Sequence, residues 1–177
     1  MRRMGVARHG GRALAALATL ALAALPVQAQ WTREALVPGV GLPVPMPATP
    51  RTADLVAFDM SAASQNRFAI DPTSVRPEGE RFVRLTMVVT SSGGASNISY
   101  EAFDCERWTH RLLAIGHADG SWRPIPDAQW LTVRSTDRIL RQHLVVFNAA
   151  CEGGKRAGDT KRIVRRLTAP TDERYLR

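Results

Sequence analysis

The chain has 177 residues, a formal net charge of +8 and two cysteines. That length suits a single domain able to bury roughly two-thirds of its unfolded surface. The charge is deceptive because it sits at the ends. Arg2, Arg3, Arg8 and Arg12 open the chain with no acidic residue among the first 29, residues 30–151 hold 12 basic and 12 acidic residues, and the rest of the excess follows Cys151. A neutral body excludes a broad nucleic-acid-binding face, and two cysteines outside any Cys-x-x-Cys motif exclude a dithiol redox centre or a cysteine zinc site.

Residues 1–29 have the layout of a secretory signal peptide: a basic start, the apolar run Ala13–Val27 in which Thr19 is the only polar residue, and Val27-Gln28-Ala29 before the cleavage site. A run of fifteen residues is short of the roughly 20 that span a bilayer. Gln30-Trp31 lacks a lipoprotein cysteine, and Met1 and Met4 beside Arg2-Arg3 do not fit twin-arginine export. Cleavage after Ala29 sends the mature chain to the periplasm, where Cys105 and Cys151 are expected to form a disulfide. Closing a loop of that length contributes about 3–4 kcal/mol in the chain-entropy account.

Residues 30–54 form a proline-rich arm (Pro38, Pro43, Pro45, Pro47, Pro50), extended and serving as a spacer or as a strap over the domain. Residues 55–152 read as a single β-rich domain. Leu55–Asp59 and Arg67–Asp71 are short strands, the second ended by Asp71-Pro72. Arg81–Thr90 is the strongest strand and Ser91–Ser96, with Gly93-Gly94, its hairpin loop. In Asn97–Cys105, alternation puts Ile98, Tyr100 and Ala102 on one side and Ser99 and Glu101 on the other, with Phe103 out of step and a bulge expected near Asp104. Thr109–His117 follows, setting Leu112, Ala114 and Gly116 against Leu113 and Ile115. A turn at Asp119-Gly120 returns the chain through Trp122, and Pro124 and Pro126 cut that return short before a brief strand at Trp130–Val133. Over Asp137–Ala149 the spacing of Ile139, Leu140, His143, Leu144 and Phe147 reads as a helix capped by Asp137, although Val145-Val146 favours a strand. The expected fold is therefore α+β, an antiparallel β-meander of about four to six strands with one C-terminal helix packed on a face. Residues 153–177 read as a solvated basic tail. Alternatively, Ile163, Val164 and Leu167 among Arg162, Arg165 and Arg166 form helical turns against an anionic membrane surface.

Few constellations carry chemistry. Ser99, His117 and Asp71 can be assembled into a hydrolase triad, but no Gly-x-Ser-x-Gly elbow supports it. His110 and His117, seven apart on one strand, fall on opposite faces, and His143 reads as a core histidine of the helix stripe. No metal site and no cofactor are expected. Glu78 and Glu80 flank a turn and look solvated. Trp108, Trp122 and Trp130 fill a β core more readily than they line a groove. Asn97-Ile98-Ser99 matches a glycosylation acceptor, relevant only in a glycosylating host.

Arg67-Phe68-Ala69-Ile70-Asp71-Pro72-Thr73-Ser74-Val75, then Val83–Ser91, Gly94–Glu101 running on to Cys105, and Ala114-Ile115-Gly116 with Asp119-Gly120-Ser121-Trp122 and Trp130 resemble the cryptic-neisserial-protein-like family of bacterial exported proteins. The resemblance departs at the C-terminal segment, where Phe147-Asn148-Ala149-Ala150 precedes the second cysteine and a basic tail follows. It implies a Gram-negative envelope setting and brings no catalytic residues. The expected function is a non-catalytic binding or scaffolding domain of the envelope, with an envelope protein or cell-wall component as partner, no nucleic acid, and weak anionic membrane contact through the tail. Asn97, Ser99, Tyr100, Glu101 and Trp122 are the expected partner surface. A small envelope hydrolase built around Ser99, Tyr100 and His117 is the alternative.

Overall fold

The structure, a computed structural model, describes residues 34–36, 43–60, 64–133 and 141–169. The signal-peptide assignment and the expected cap Asp137 lie outside these residues, as do Ile139 and Leu140. Strands β1 (Glu34–Leu36) and β2 (Pro43–Pro45) pair as a small antiparallel ribbon. A single 3-10 turn at Thr52–Asp54 leads into the main sheet. Its strands β3 (Val56–Phe58), β4 (Arg67–Glu78), β5 (Phe82–Thr90), β6 (Ser96–Asp104), β7 (Thr109–Gly116) and β8 (Trp122–Pro124) lie side by side in chain order, all antiparallel. Strand β9 (Leu131–Thr132) adds to the β7 edge beside Thr109 and His110. Helix α1 (Arg141–Ala150), a hairpin of β10 (Cys151–Glu152) and β11 (Lys155–Arg156), and helix α2 (Thr160–Thr168) complete the chain. The fold is α+β and antiparallel as expected, with more strands and a second helix. Among the described residues no helix is long and apolar enough to cross a membrane.

Both sheet faces are covered, which is why residues 82–88 of the central strand β5 are buried without alternation. On the first face, Val83, Leu85, Met87 and Phe103 pack under Leu144 and Phe147 of α1 and Ile163 and Leu167 of α2. On the second face, Tyr100, Ala102, Leu113 and Ala114 are covered by Trp122, Trp130 and, from the proline arm, Met46. The arm's end is a strap: Trp122 Nε1 donates to the Pro47 carbonyl at 2.9 Å and Thr49 Oγ1 to the Gly120 carbonyl. Trp122 crosses Gly116, where a Cβ would stand 2.7 Å from Ile98 and 3.2 Å from the indole, so any larger residue would have to displace Ile98 and crowd the ring.

Two irregularities alter the expected strands. Strand β4 does not stop at Asp71-Pro72 but runs to Glu78, because its register slips between Asp71 and Arg76 and leaves Pro72 out of the regular ladder. Side chains stitch the gap: Ser74 Oγ donates to the Asp71 carbonyl at 2.6 Å and accepts from the Thr86 amide at 2.8 Å. The second bulge lies on β7. Tyr100 pairs with Ala114 but Glu101 with Leu112, so Leu113 is the extra residue. A one-residue slip exchanges the faces of everything beyond it. Leu113 therefore joins Ala114 on the second face while His110, opposite Phe103, turns to the first. The bulge sits there rather than near Asp104, which instead accepts from the Glu106 and Arg107 amides and shapes the turn into Cys105.

As far as residue 169, the expected solvated tail is also corrected. Gly153 and Gly154, both at positive φ, turn the two-residue β10–β11 hairpin, and Asp159 caps α2 by accepting from the Arg162 amide at 2.8 Å. Ile163 and Leu167, four residues apart, are buried against the sheet rather than offered to a membrane. Several of the basic groups are spent internally: Arg166 donates to the Ala149 and Asn148 carbonyls at the end of α1, and Arg162 and Arg166 pair with Glu152. Lys155 meets Glu80. Leu167→Ala is expected to lower unfolding stability in urea by about 2–4 kcal/mol, the cost of a core cavity, whereas a solvated tail residue would change it by less than about 0.5 kcal/mol.

Candidate functional site

The disulfide Cys105–Cys151, with Cα atoms 5.3 Å apart, forms as expected and ties the residue after β6 to the residue after α1. Between these anchors the sheet and the helix enclose a polar cluster in an apolar layer. Glu101 on β6 is 4% exposed, His110 on β7 5% and His143 on α1 6%. One carboxylate oxygen, Oε2, meets both imidazoles, His143 Nε2 at 2.9 Å and His110 Nδ1 at 3.2 Å. The other, Oε1, accepts from Ser99 Oγ at 2.7 Å. The two rings stack with centroids 3.8 Å apart, and Phe103 lies against both at 6.0 and 6.4 Å. His143 Nδ1 has no hydrogen-bond partner among the described protein groups.

Each member arrives by a separate local rule. Ser99 and Glu101 share a face because they are two residues apart on β6. The β7 bulge turns His110 to that face. Helix α1, held at its far end by the disulfide and by Arg166, lays His143 over the pair. Burial pushes the Glu101 carboxyl up, but attraction from His143, hydrogen bonds from His110 and His143, and attraction from His110 outweigh it. They hold the carboxyl well below the usual carboxylate range. Two imidazole nitrogens and one carboxylate oxygen are also a donor set that suits a transition-metal ion.

The residues expected to form a partner surface do not all reach solvent. Asn97 is exposed, Ser99 and Trp122 are half-buried, and Tyr100 and Glu101 are buried, a correction that follows from the two covered faces. Tyr100 lies beneath Trp122, with ring centroids 6.1 Å apart. Among the described residues the exposed tryptophan is Trp108, half of its surface in solvent, at a left-handed φ of 57° and with its ring 4.6 Å from Phe147. The proposed hydrolase residues do not assemble either. His117 is exposed in the turn after β7, and the Ser99 hydroxyl is spent on a carboxylate rather than on an imidazole base. Sequence reasoning missed the cluster because regular alternation on β7 hides His110. The available signal was an unbroken apolar run, Leu112–Ile115, too continuous for a strand with one solvent face.

The model of the CNP1-like family matches residues 41–168. The chain belongs to the CNP1-like family. The match ends at the last residue of α2, so the family's domain includes the second helix as well as the sheet. No curated protein and no solved structure matches the chain.

The depressed Glu101 carboxyl has a definite sign for stability. Because its folded value lies below the unfolded one, its contribution is full above the unfolded value of about 4.3 and is lost as pH falls from there toward the folded value. In urea titrations from pH 7 to pH 3, Glu101→Gln is expected to be less stable at neutral pH and to lose less stability on acidification than the parent.

Proposed function

We propose that this CNP1-like domain is an exported, non-catalytic binding or scaffolding domain of the bacterial envelope, working in the periplasm. The observation that carries this reading is the enclosure of its chemically capable groups. Glu101, His110 and His143 are all at least nine-tenths buried and satisfied mainly by one another, so a substrate has no route to them. Two further features support it. Disulfides persist in oxidising compartments such as the periplasm, and the chain begins with a signal-peptide pattern.

The contact surface is better placed around Trp108 and Leu131 than at the middle of β6. Both are half exposed, and their segments are joined by the Val133 amide donating to the Trp108 carbonyl at 2.8 Å. An exposed large aromatic held in a strained backbone conformation is more characteristic of recognition than of packing. The partner is an envelope protein or a cell-wall component.

The oxidised protein, cross-linked in its own envelope extract, is expected to capture one predominant partner. The double substitution Trp108→Ser with Leu131→Ser should abolish capture while leaving the melting temperature within a few degrees of the parent. Labelling by a serine-directed active-site probe that disappears in Ser99→Ala would instead establish a hydrolase and overturn the proposal.

A further inference from the structure

We propose that Glu101, His110 and His143 form a binding site for one divalent transition-metal ion with a preference for nitrogen and oxygen donors, of which zinc is the simplest probe. The ligating atoms of the three residues all lie within 4.8 Å of one another, and each residue comes from a different element, β6, β7 and α1. Oε2 already stands 2.9 and 3.2 Å from the two imidazole nitrogens. Neighbouring ligands on a tetrahedral ion with bonds of about 2.0–2.1 Å stand roughly 3.3 Å apart, so the carboxylate needs to move little.

The surroundings supply part of what a metal site requires beyond its ligands, while the other ring nitrogen of His143, Nδ1, meets no hydrogen-bond partner among the described residues. Ser99 Oγ holds Oε1, which orients the carboxylate and leaves Oε2 for coordination, the role outer-sphere donors play in metal centres. Phe103 and the apolar layer around it keep bulk solvent away, which strengthens the attraction between a cation and a buried carboxylate and leaves metal-bound water to complete the coordination beyond the three protein ligands. The Cys105–Cys151 bridge fixes the helix that carries the third ligand to the strand that carries the first. One feature of the geometry must change. The imidazoles stack 23° from parallel with centroids 3.8 Å apart, which aims their nitrogens nearly side by side, so coordination opens the stack by tilting His143. Binding is thus coupled to a small movement of α1.

The disulfide-intact protein, treated with EDTA and then dialysed, is titrated with zinc chloride by calorimetry and separately with cobalt, whose visible absorption reports the coordination sphere. A parallel sample is refolded from guanidinium with zinc present and the disulfide retained, so that slow entry into a closed site cannot conceal binding. The expected result is one ion per chain, a rise in melting temperature reversed by EDTA, and cobalt bands of a four- or five-coordinate nitrogen–oxygen site. Glu101→Gln and His143→Gln should each weaken binding at least tenfold, and His117→Gln should leave it unchanged. Ser99→Ala retains all three ligands and should weaken binding about tenfold, the lower end of outer-sphere effects, which keeps the test valid where a ligand variant fails to fold. No uptake by the parent in either preparation overturns the proposal. So does uptake that survives in both ligand variants, or uptake lost in His117→Gln.

Discussion

A carboxylate buried beneath a helix is costly unless positive charge or hydrogen-bond donors meet it directly. Glu101 is placed in that position, and the organisation of the first sheet face follows from the need to satisfy it. Its two oxygens are divided between Ser99 on the same strand and imidazoles from the next strand and from α1. Removing any one of these contacts would leave a polar group unsatisfied inside an apolar layer, so β6, β7 and α1 are constrained to one relative arrangement. The disulfide at the end of α1 acts in the same direction by limiting how far the helix can lift from the sheet.

That arrangement depends on a defect in regularity. Without the extra residue on β7, His110 would lie on the second face and Arg111 would point into the helix-covered core. With it, Arg111 faces away and donates to the Pro126 carbonyl, while His110 reaches Glu101. Bulges often re-aim one side chain at a site. Here a single bulge re-aims two and keeps a cation out of the apolar layer.

The second face and the C-terminal segment show how a modest domain closes its surfaces. The proline arm is suited to strapping because its missing amide donors and extended geometry leave little backbone polarity to satisfy where it lies on Trp122. Among the C-terminal basic residues, which look like a tail when counted as charges, Arg166 ends the helix α1, Arg162 and Arg166 bridge to Glu152, and Arg156 binds the Gly79 carbonyl of the β4–β5 hairpin. The charge of these three is structural before it is available to any partner.

Much of this was legible in the sequence. Apart from the continuation of β4 past Pro72, the strands from Val56 to Gly116, the loops at Gly94 and Gly120, the short β8 and β9 and the cysteine pairing follow from local signals: β-branched runs, turn residues, and two thiols in an exported chain. Even α2 left its marks, in Asp159 as a cap and in the spacing of Ile163 and Leu167, though the surrounding arginines hid them. What only the tertiary structure decided is which face each residue occupies. Strand alternation is a rule with no memory of register, so one inserted residue on β7 reverses its outcome, and the apolar run Leu112–Ile115 signals two covered faces without saying where the extra residue lies. For the same reason the meeting of Glu101, His110 and His143 was not legible. They are 9 and 33 residues apart in sequence, on three elements, and only the bulge, the helix and the bridge bring them to one point.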